Sequence, residues 1–102
     1  MLAIKQGVRL AKLQPQIVLG LISLHSLWEK YGYGALTITS GSDGDHKTGS
    51  LHYSGNAVDL RIRHLHPDDL KHIVSAARAA LGSDYDIVIE PDHIHFEYDP
   101  KP

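Results

Sequence analysis

The stretch "YDIVIEPDHIHFEY", from Tyr85 to Tyr98, determines most of what the sequence predicts about the fold. Two short apolar runs, "YDIVI" and "HIHFEY", are joined by "EPD", a pattern typical of a β-hairpin. Side chains alternate across a strand, so the second run has a polar and an apolar face, namely His93, His95 and Glu97 against Ile94, Phe96 and Tyr98. The strand thus predicts half of a metal site facing a cleft. The alternative is a solvent-exposed hairpin edge that happens to carry histidines.

The rest of the chain supplies two helices and two more strands. Residues from Pro15 to Tyr31 carry apolar side chains at helical spacing, and a second such stretch begins at Pro67 and ends at Gly82. The β-branched runs at 35–39 and 57–62 indicate strands. The order is therefore helix, strand, loop, strand, helix, strand, strand. It predicts an α+β fold, with a small antiparallel sheet and two main helices packed on one side.

Composition and charge narrow the classes of function. A chain of 102 residues has room for one domain, which we expect to span residues 1–102. The formal net charge of -2 provides no basic field for phosphate backbones, so we expect no nucleic-acid partner. There is no cysteine, so any metal would be held by carboxylates and by some of the eight histidines.

The sequence indicates neither a membrane partner nor a secretion signal. Its longest apolar stretch, "IVLGLISL", is too short to span a bilayer. The opening residues, "MLAIKQGVRLAKLQPQ", lack the charged and long apolar regions of a signal peptide. We therefore expect synthesis in the cytosol, with any action outside it depending on release or on delivery by another component.

A second polar cluster, "HYSGNAVD", lies at the end of a long loop over residues 40–56. Long ordered loops in small domains are usually functional. Asp59 follows an apolar pair, and a buried carboxylate needs a partner. That partner could be Arg61, a backbone amide or a metal. With His52 and one histidine of "HIH", the set becomes two histidines and one carboxylate, which suits catalytic zinc.

The pair of motifs "SLHYSGNAVDL" and "DHIHFE" resembles the zinc D,D-peptidases that cut bacterial cell-wall peptides. These are the D-alanyl-D-alanine carboxypeptidases and dipeptidases and the L-alanyl-D-glutamate endopeptidases, whose fold the hedgehog signalling domain shares. The resemblance covers residues 38–98 and implies three zinc ligands, His52, Asp59 and His95.

The same resemblance implies the catalytic groups. Asp92 takes the position of the acid/base carboxylate, and His93 lies where some members have a histidine beside the attacked carbonyl. Ser50 and Glu97 are candidates to support the ligands. Glu90 also stands three residues before His93, so that pair could serve as base and ligand instead.

The sequence departs from the family pattern at one important position. Many members have an arginine in an S-G-x-R stretch, thought to hold a carboxylate of the substrate, whereas "SGSD" places Asp43 there. We expect His46, Lys47 or Arg61 to take over substrate binding. The remaining histidines have simpler explanations: a helix-cap or loop role for "HLH" at 64–66, and positions inside helices for His25 and His72.

The resemblance implies a monomeric zinc metallopeptidase that acts on peptidoglycan stem peptides, as a carboxypeptidase or an endopeptidase. The absence of an export signal suits a phage lysis or tail-associated enzyme. The main alternative is a non-catalytic zinc module of the same fold that binds peptidoglycan or a protein. A metal-independent histidine hydrolase of phosphodiesters is a third hypothesis, which the acidic balance disfavours.

Overall fold

Two helices and one five-stranded sheet make up the part of the chain that the structure, a computed structural model, describes: residues 1–10, 13–41 and 55–100. The elements, in chain order, are β1 (Leu2–Ile4), α1 (Pro15–Lys30), β2 (Leu36–Ser40), β3 (Ala57–Arg61), α2 (Pro67–Leu81), β4 (Tyr85–Ile89) and β5 (His93–Tyr98). The predicted α+β class is confirmed. Both predicted helices and all four predicted strands are present.

The sheet has the strand order β1-β2-β3-β5-β4 and is mixed. β1 runs parallel to β2, and the other neighbouring pairs are antiparallel. The prediction of a purely antiparallel sheet was therefore wrong, because the sequence analysis missed β1. That strand is three residues long with two exposed side chains, so it shows no burial pattern. α1 lies in the connection between β1 and β2, as parallel neighbours require a crossover.

The predicted hairpin is confirmed, and it places β5 inside the sheet. β4 and β5 pair with Ile89 opposite Ile94, and the backbone N–H of Glu90 donates to the carbonyl of His93 at 2.8 Å. β5 also pairs with β3, so β4 forms the edge. The alternative of an exposed hairpin edge is therefore wrong for the histidine-bearing strand.

One face of the sheet packs against both helices. Phe96 and Ile94 of β5 are fully buried in the same core as Trp28 of α1 and Ile73 of α2. The alternation predicted for β5 is confirmed, since its polar residues are only partly buried and lie on the other face. The helices thus pack on one face of the sheet, and the polar side chains of β3 and β5 lie on the opposite face.

The start of α2 explains the "HLH" motif. His66 is the N-cap residue, and its Nδ1 accepts a hydrogen bond from the backbone N–H of Asp68 at 3.2 Å. Gly82 ends the helix with a φ of 81°, which favours glycine. The predicted cap role is confirmed for His66. Within the described residues, no helix has the length and apolar character needed to cross a bilayer.

Candidate functional site

The centre of the polar face is a contact between Asp59 and His95. The two residues are directly opposite each other in the β3–β5 pair, so their side chains point to the same side. His95 Nδ1 lies 3.2 Å from Asp59 Oδ1, and His95 Nε2 lies 2.7 Å from Glu97 Oε1. The exposed fractions of the side chains of Asp59, His95 and Glu97 are 16%, 23% and 19%. The His95 ring therefore lies between two carboxylates, one at each ring nitrogen.

These carboxylates change the acidity of His95. The hydrogen bond to Asp59 raises the pKa of His95 above its ordinary value, partial burial opposes that shift, and the hydrogen bond to Glu97 adds to it. An imidazole that donates from both nitrogens is the charged form. The two carboxylates thus favour the doubly protonated form of His95, the residue that the resemblance implies is a metal ligand.

A second pair, Asp92 and His93, lies beside the first. His93 Nδ1 is 2.7 Å from Asp92 Oδ1, and His93 Nε2 is 3.8 Å from Asp59 Oδ1. The hydrogen bond from His93 lowers the pKa of Asp92, and the charge of Arg63 adds a smaller lowering. Asp92 is therefore ionised at neutral pH. It also fixes the His93 ring, whose other nitrogen is oriented towards Asp59.

A cleft of ≈ 370 Å³ opens next to these pairs. Its lining includes the three acidic or imidazole groups just described, Asp59, Asp92 and His93. Arg61, predicted from the sequence as a substrate contact, lies in the wall as well. The sequence analysis missed four further lining residues, namely Lys5, Thr39, Ser40 and Arg63. Lys5 directly follows β1, the strand that carried no readable pattern.

The two possible base and ligand pairs differ in their positions relative to Asp59 and the cleft. His95, not His93, is the residue opposite Asp59, and its ring nitrogen is the closer of the two to the Asp59 carboxylate. Glu90 and Asp92 are both exposed in the turn, but only Asp92 lines the cleft. This geometry favours Asp92 with His95 over Glu90 with His93.

Several predicted site residues fall outside the described part of the chain. They lie within residues 42–54 and are Asp43, His46, Lys47, Ser50 and His52. Glu97 is in the position expected for a residue that supports a ligand, next to His95. Arg61 forms no ion pair with Asp59 in the described part of the chain, so that purely structural explanation of Asp59 receives no support.

A group of carboxylates that the sequence analysis missed lies at the β4 side of the sheet. Asp86, Glu97 and Asp99 each place an oxygen within 4.8 Å of the others, a spacing that could hold a metal ion. Asp86 is opposite Glu97 in the hairpin, so this proximity follows from the register. An oxygen-only set suits magnesium or calcium better than zinc.

No protein-family model matches the sequence, and no curated protein matches it either.

Proposed function

We propose that this protein is a zinc metallopeptidase of the hedgehog/D,D-peptidase fold that hydrolyses bacterial cell-wall stem peptides, as a D,D-carboxypeptidase or an endopeptidase. The observation that carries the proposal is the contact of Asp59 with His95 beside a cleft lined by Asp92 and His93. Asp59, from one of the two motifs that resemble the family, and His95, from the other, thus lie opposite each other on adjacent strands. In this proposal the enzyme acts at the cell wall, after phage lysis or after delivery by another component.

The donor set fits zinc. Tetrahedral zinc with ligand bonds of about 2.0–2.1 Å separates two neighbouring ligand atoms by about 3.3 Å. Asp59 Oδ1 and His95 Nδ1 are 3.2 Å apart, and Glu97 holds the other ring nitrogen as metal-binding histidines require. His52, which lies outside the described residues, would be the third ligand. Zinc bound there would act as a Lewis acid on the peptide carbonyl and acidify water.

The protein's own groups then handle the proton and orient the substrate. Asp92 is ionised, lines the cleft and accepts from His93 through Oδ1, so its carboxylate can take a proton from the attacking water. Because Nδ1 of His93 is engaged by Asp92, Nε2 is the nitrogen available to the carbonyl oxygen of the substrate.

The reaction balances as a simple hydrolysis. The oxygen of water forms a bond to the peptide carbon, and the water proton moves to the carboxylate of Asp92. The carbon–nitrogen bond breaks, and Asp92 returns the proton to the leaving amine. No oxidant or second substrate besides water is required.

The test measures zinc content and cleavage of purified muropeptides for the wild type and Asp92→Asn together. Asp92→Asn keeps the shape of the side chain and removes the base. Glu29→Gln is the matched control, because Glu29 is exposed on α1, away from the cleft. We expect about one zinc per chain in all three proteins and cleavage in the wild type and the control alone.

Two results would contradict the proposal. Zinc in every protein with cleavage in none would identify a binding module of the same fold. No bound zinc in the wild type would mean that Asp59 and His95 are not metal ligands.

A further inference from the structure

We propose that Lys5 and Arg63 form, with Arg61, an anion subsite that binds a carboxylate of the peptide substrate within about three residues of the cleaved bond. The proposal rests on the proposed function, because the cleft that these cations line is the one that contains Asp59 and Asp92. It names which groups recognise the substrate on a chain with an aspartate where many similar enzymes have an arginine.

The balance of charge around the cleft is the first observation in favour of the subsite. No carboxylate forms an ion pair with Lys5, Arg61 or Arg63 in the described part of the chain. The carboxylates that share their cleft are already engaged by histidines. Among the described residues, three cations and two carboxylates line the cleft, a positive balance in a chain whose formal net charge is -2. The three cations raise the local concentration of anions.

The second argument is their position relative to the candidate zinc ligands. The backbone N–H of Lys5 donates to the carbonyl of Ile38 at 2.9 Å, which places Lys5 at the level of Thr39. The hydroxyl of Thr39 donates a hydrogen bond to the backbone carbonyl of Asp59 at 3.4 Å. Lys5 is therefore two strand spacings, about 10 Å, from the line of β3. A peptide advances about 3.3–3.6 Å per residue, so this distance corresponds to about three residues.

The cations also reach this one cleft from different strands. Arg63 lies just beyond the central strand β3, close enough to Asp92 to act on its charge, and Lys5 follows the edge strand β1. The hydroxyls of Thr39 and Ser40 line the wall between them. A peptide along this wall would meet hydrogen-bonding groups first and a cation at its end.

Binding of matched acid and amide peptides tests this inference without any cleavage. The probes are N-acetyl-L-lysyl-D-alanyl-D-alanine and its C-terminal amide, and L-alanyl-D-glutamate and L-alanyl-D-isoglutamine. Each is titrated by NMR into the full chain in the presence of a chelator. The variants are Lys5→Gln and Arg63→Gln, with Lys71→Gln as the control. Lys71 lies exposed on α2, and the helices cover the other face of the sheet.

We expect at least one acid to bind more tightly than its amide. Each cleft variant should weaken that acid about fivefold, as for an exposed ion pair, and leave the amide unchanged. Lys5→Arg should restore binding, and Lys71→Gln should have no effect.

Two outcomes would overturn the inference. One is equal binding of acid and amide in both pairs, or no effect of either cleft variant. The other is binding of inorganic phosphate that depends on Lys5 and Arg63 while neither acid binds, which would make the ligand a phosphate. Acid binding without any peptide cleavage would leave the subsite in place and refute the proposed function instead.

Discussion

At the scale of single residues, His95 has two competing uses. Asp59 and Glu97 raise its pKa and so favour its protonated form. In the proposed enzyme it is a zinc ligand, and it must then give up a proton. Protons and zinc therefore compete for the same nitrogen. This competition makes the stability of the metal-free protein and its zinc affinity depend on pH in opposite directions.

The first prediction follows from the direction of that pKa shift. Because the folded-state pKa of His95 lies above the unfolded value, its contribution to the free energy of unfolding is complete below about pH 6.5. It is lost as the pH rises through the folded-state value. Urea unfolding of the chelated protein between pH 5.5 and 8.5 measures this loss. The difference between the wild type and His95→Gln should shrink as pH rises, and a difference that grows would contradict the assignment.

The second prediction concerns Glu97, the acceptor for the other nitrogen of His95. Removing a hydrogen-bond partner of a metal-binding histidine typically lowers the affinity for the metal about 10–100-fold. We expect that loss in zinc affinity for Glu97→Ala and a smaller one for Glu97→Gln, whose amide oxygen still accepts. A competition assay with a zinc-binding dye measures it.

Asp99→Asn is the control that separates the two possible metal sites. Asp99 shares the carboxylate group with Glu97 but has no contact with the His95 ring among the hydrogen bonds and ion pairs described above. Zinc affinity should therefore be unchanged in Asp99→Asn. A loss comparable to that in Glu97→Ala would place the zinc among the carboxylates instead.

At the scale of elements, the close packing of α1 against the sheet depends on one glycine, Gly20. Gly20 of α1 faces the β4–β5 hairpin, and a methyl group there would overlap the buried ring of Phe96 and approach Tyr85 to 3.0 Å. Alanine normally favours a helix over glycine by about 1 kcal/mol. Here the core ring cannot move freely, and overpacking of this kind costs about 1–3 kcal/mol.

The third prediction is therefore that Gly20→Ala destabilises the protein, by up to about 2 kcal/mol after the helix preference is subtracted. Gly34→Ala is the matched control, since its added methyl group would contact nothing within 4 Å. The shift of the urea midpoint at constant slope measures both. A Gly20→Ala protein as stable as the Gly34→Ala protein would show that α1 can move away from the hairpin at little cost.

The sequence predicted the elements whose periodicity is long and regular. Both helices carry apolar stripes over four turns, and β5 alternates over six residues, so their burial was readable. β1 was not, because three residues with two exposed side chains carry no period. The sequence motifs also indicated that Asp59 and His95 belong together. Their direct pairing depends on the β3–β5 register, which local sequence does not specify.

The cleft was less predictable than the ligand pair for the same physical reason. Arg61 could be placed on a strand face from its spacing to Asp59. Lys5 could not, because its position depends on a parallel pairing between β1 and β2, which are far apart in sequence. Arg63 lies beyond the end of β3, where alternation no longer applies.

At the scale of the whole molecule, the proposed zinc site connects separate parts of the chain. Asp59 comes from β3 and His95 from β5, and His52 would come from the segment 42–54. An unfolded chain cannot bring these donors together, so zinc binds the folded protein selectively. At a free zinc concentration 100 times the dissociation constant, selective binding adds about 2.7 kcal/mol to the free energy of unfolding.

The fourth prediction is that zinc stabilises the wild type by about that amount. For a domain of about 100 residues it corresponds to a rise in Tm of about 10–20 °C. Calorimetry at matched zinc and chelator concentrations measures the shift, which should vanish in Asp59→Asn. That variant could also fold less well, so Asp86→Asn is measured beside it as a second carboxylate change on the same face. If zinc stabilises Asp59→Asn and not Asp86→Asn, the metal binds at the carboxylates of Asp86, Glu97 and Asp99. That result would contradict the proposed zinc site at Asp59 and His95.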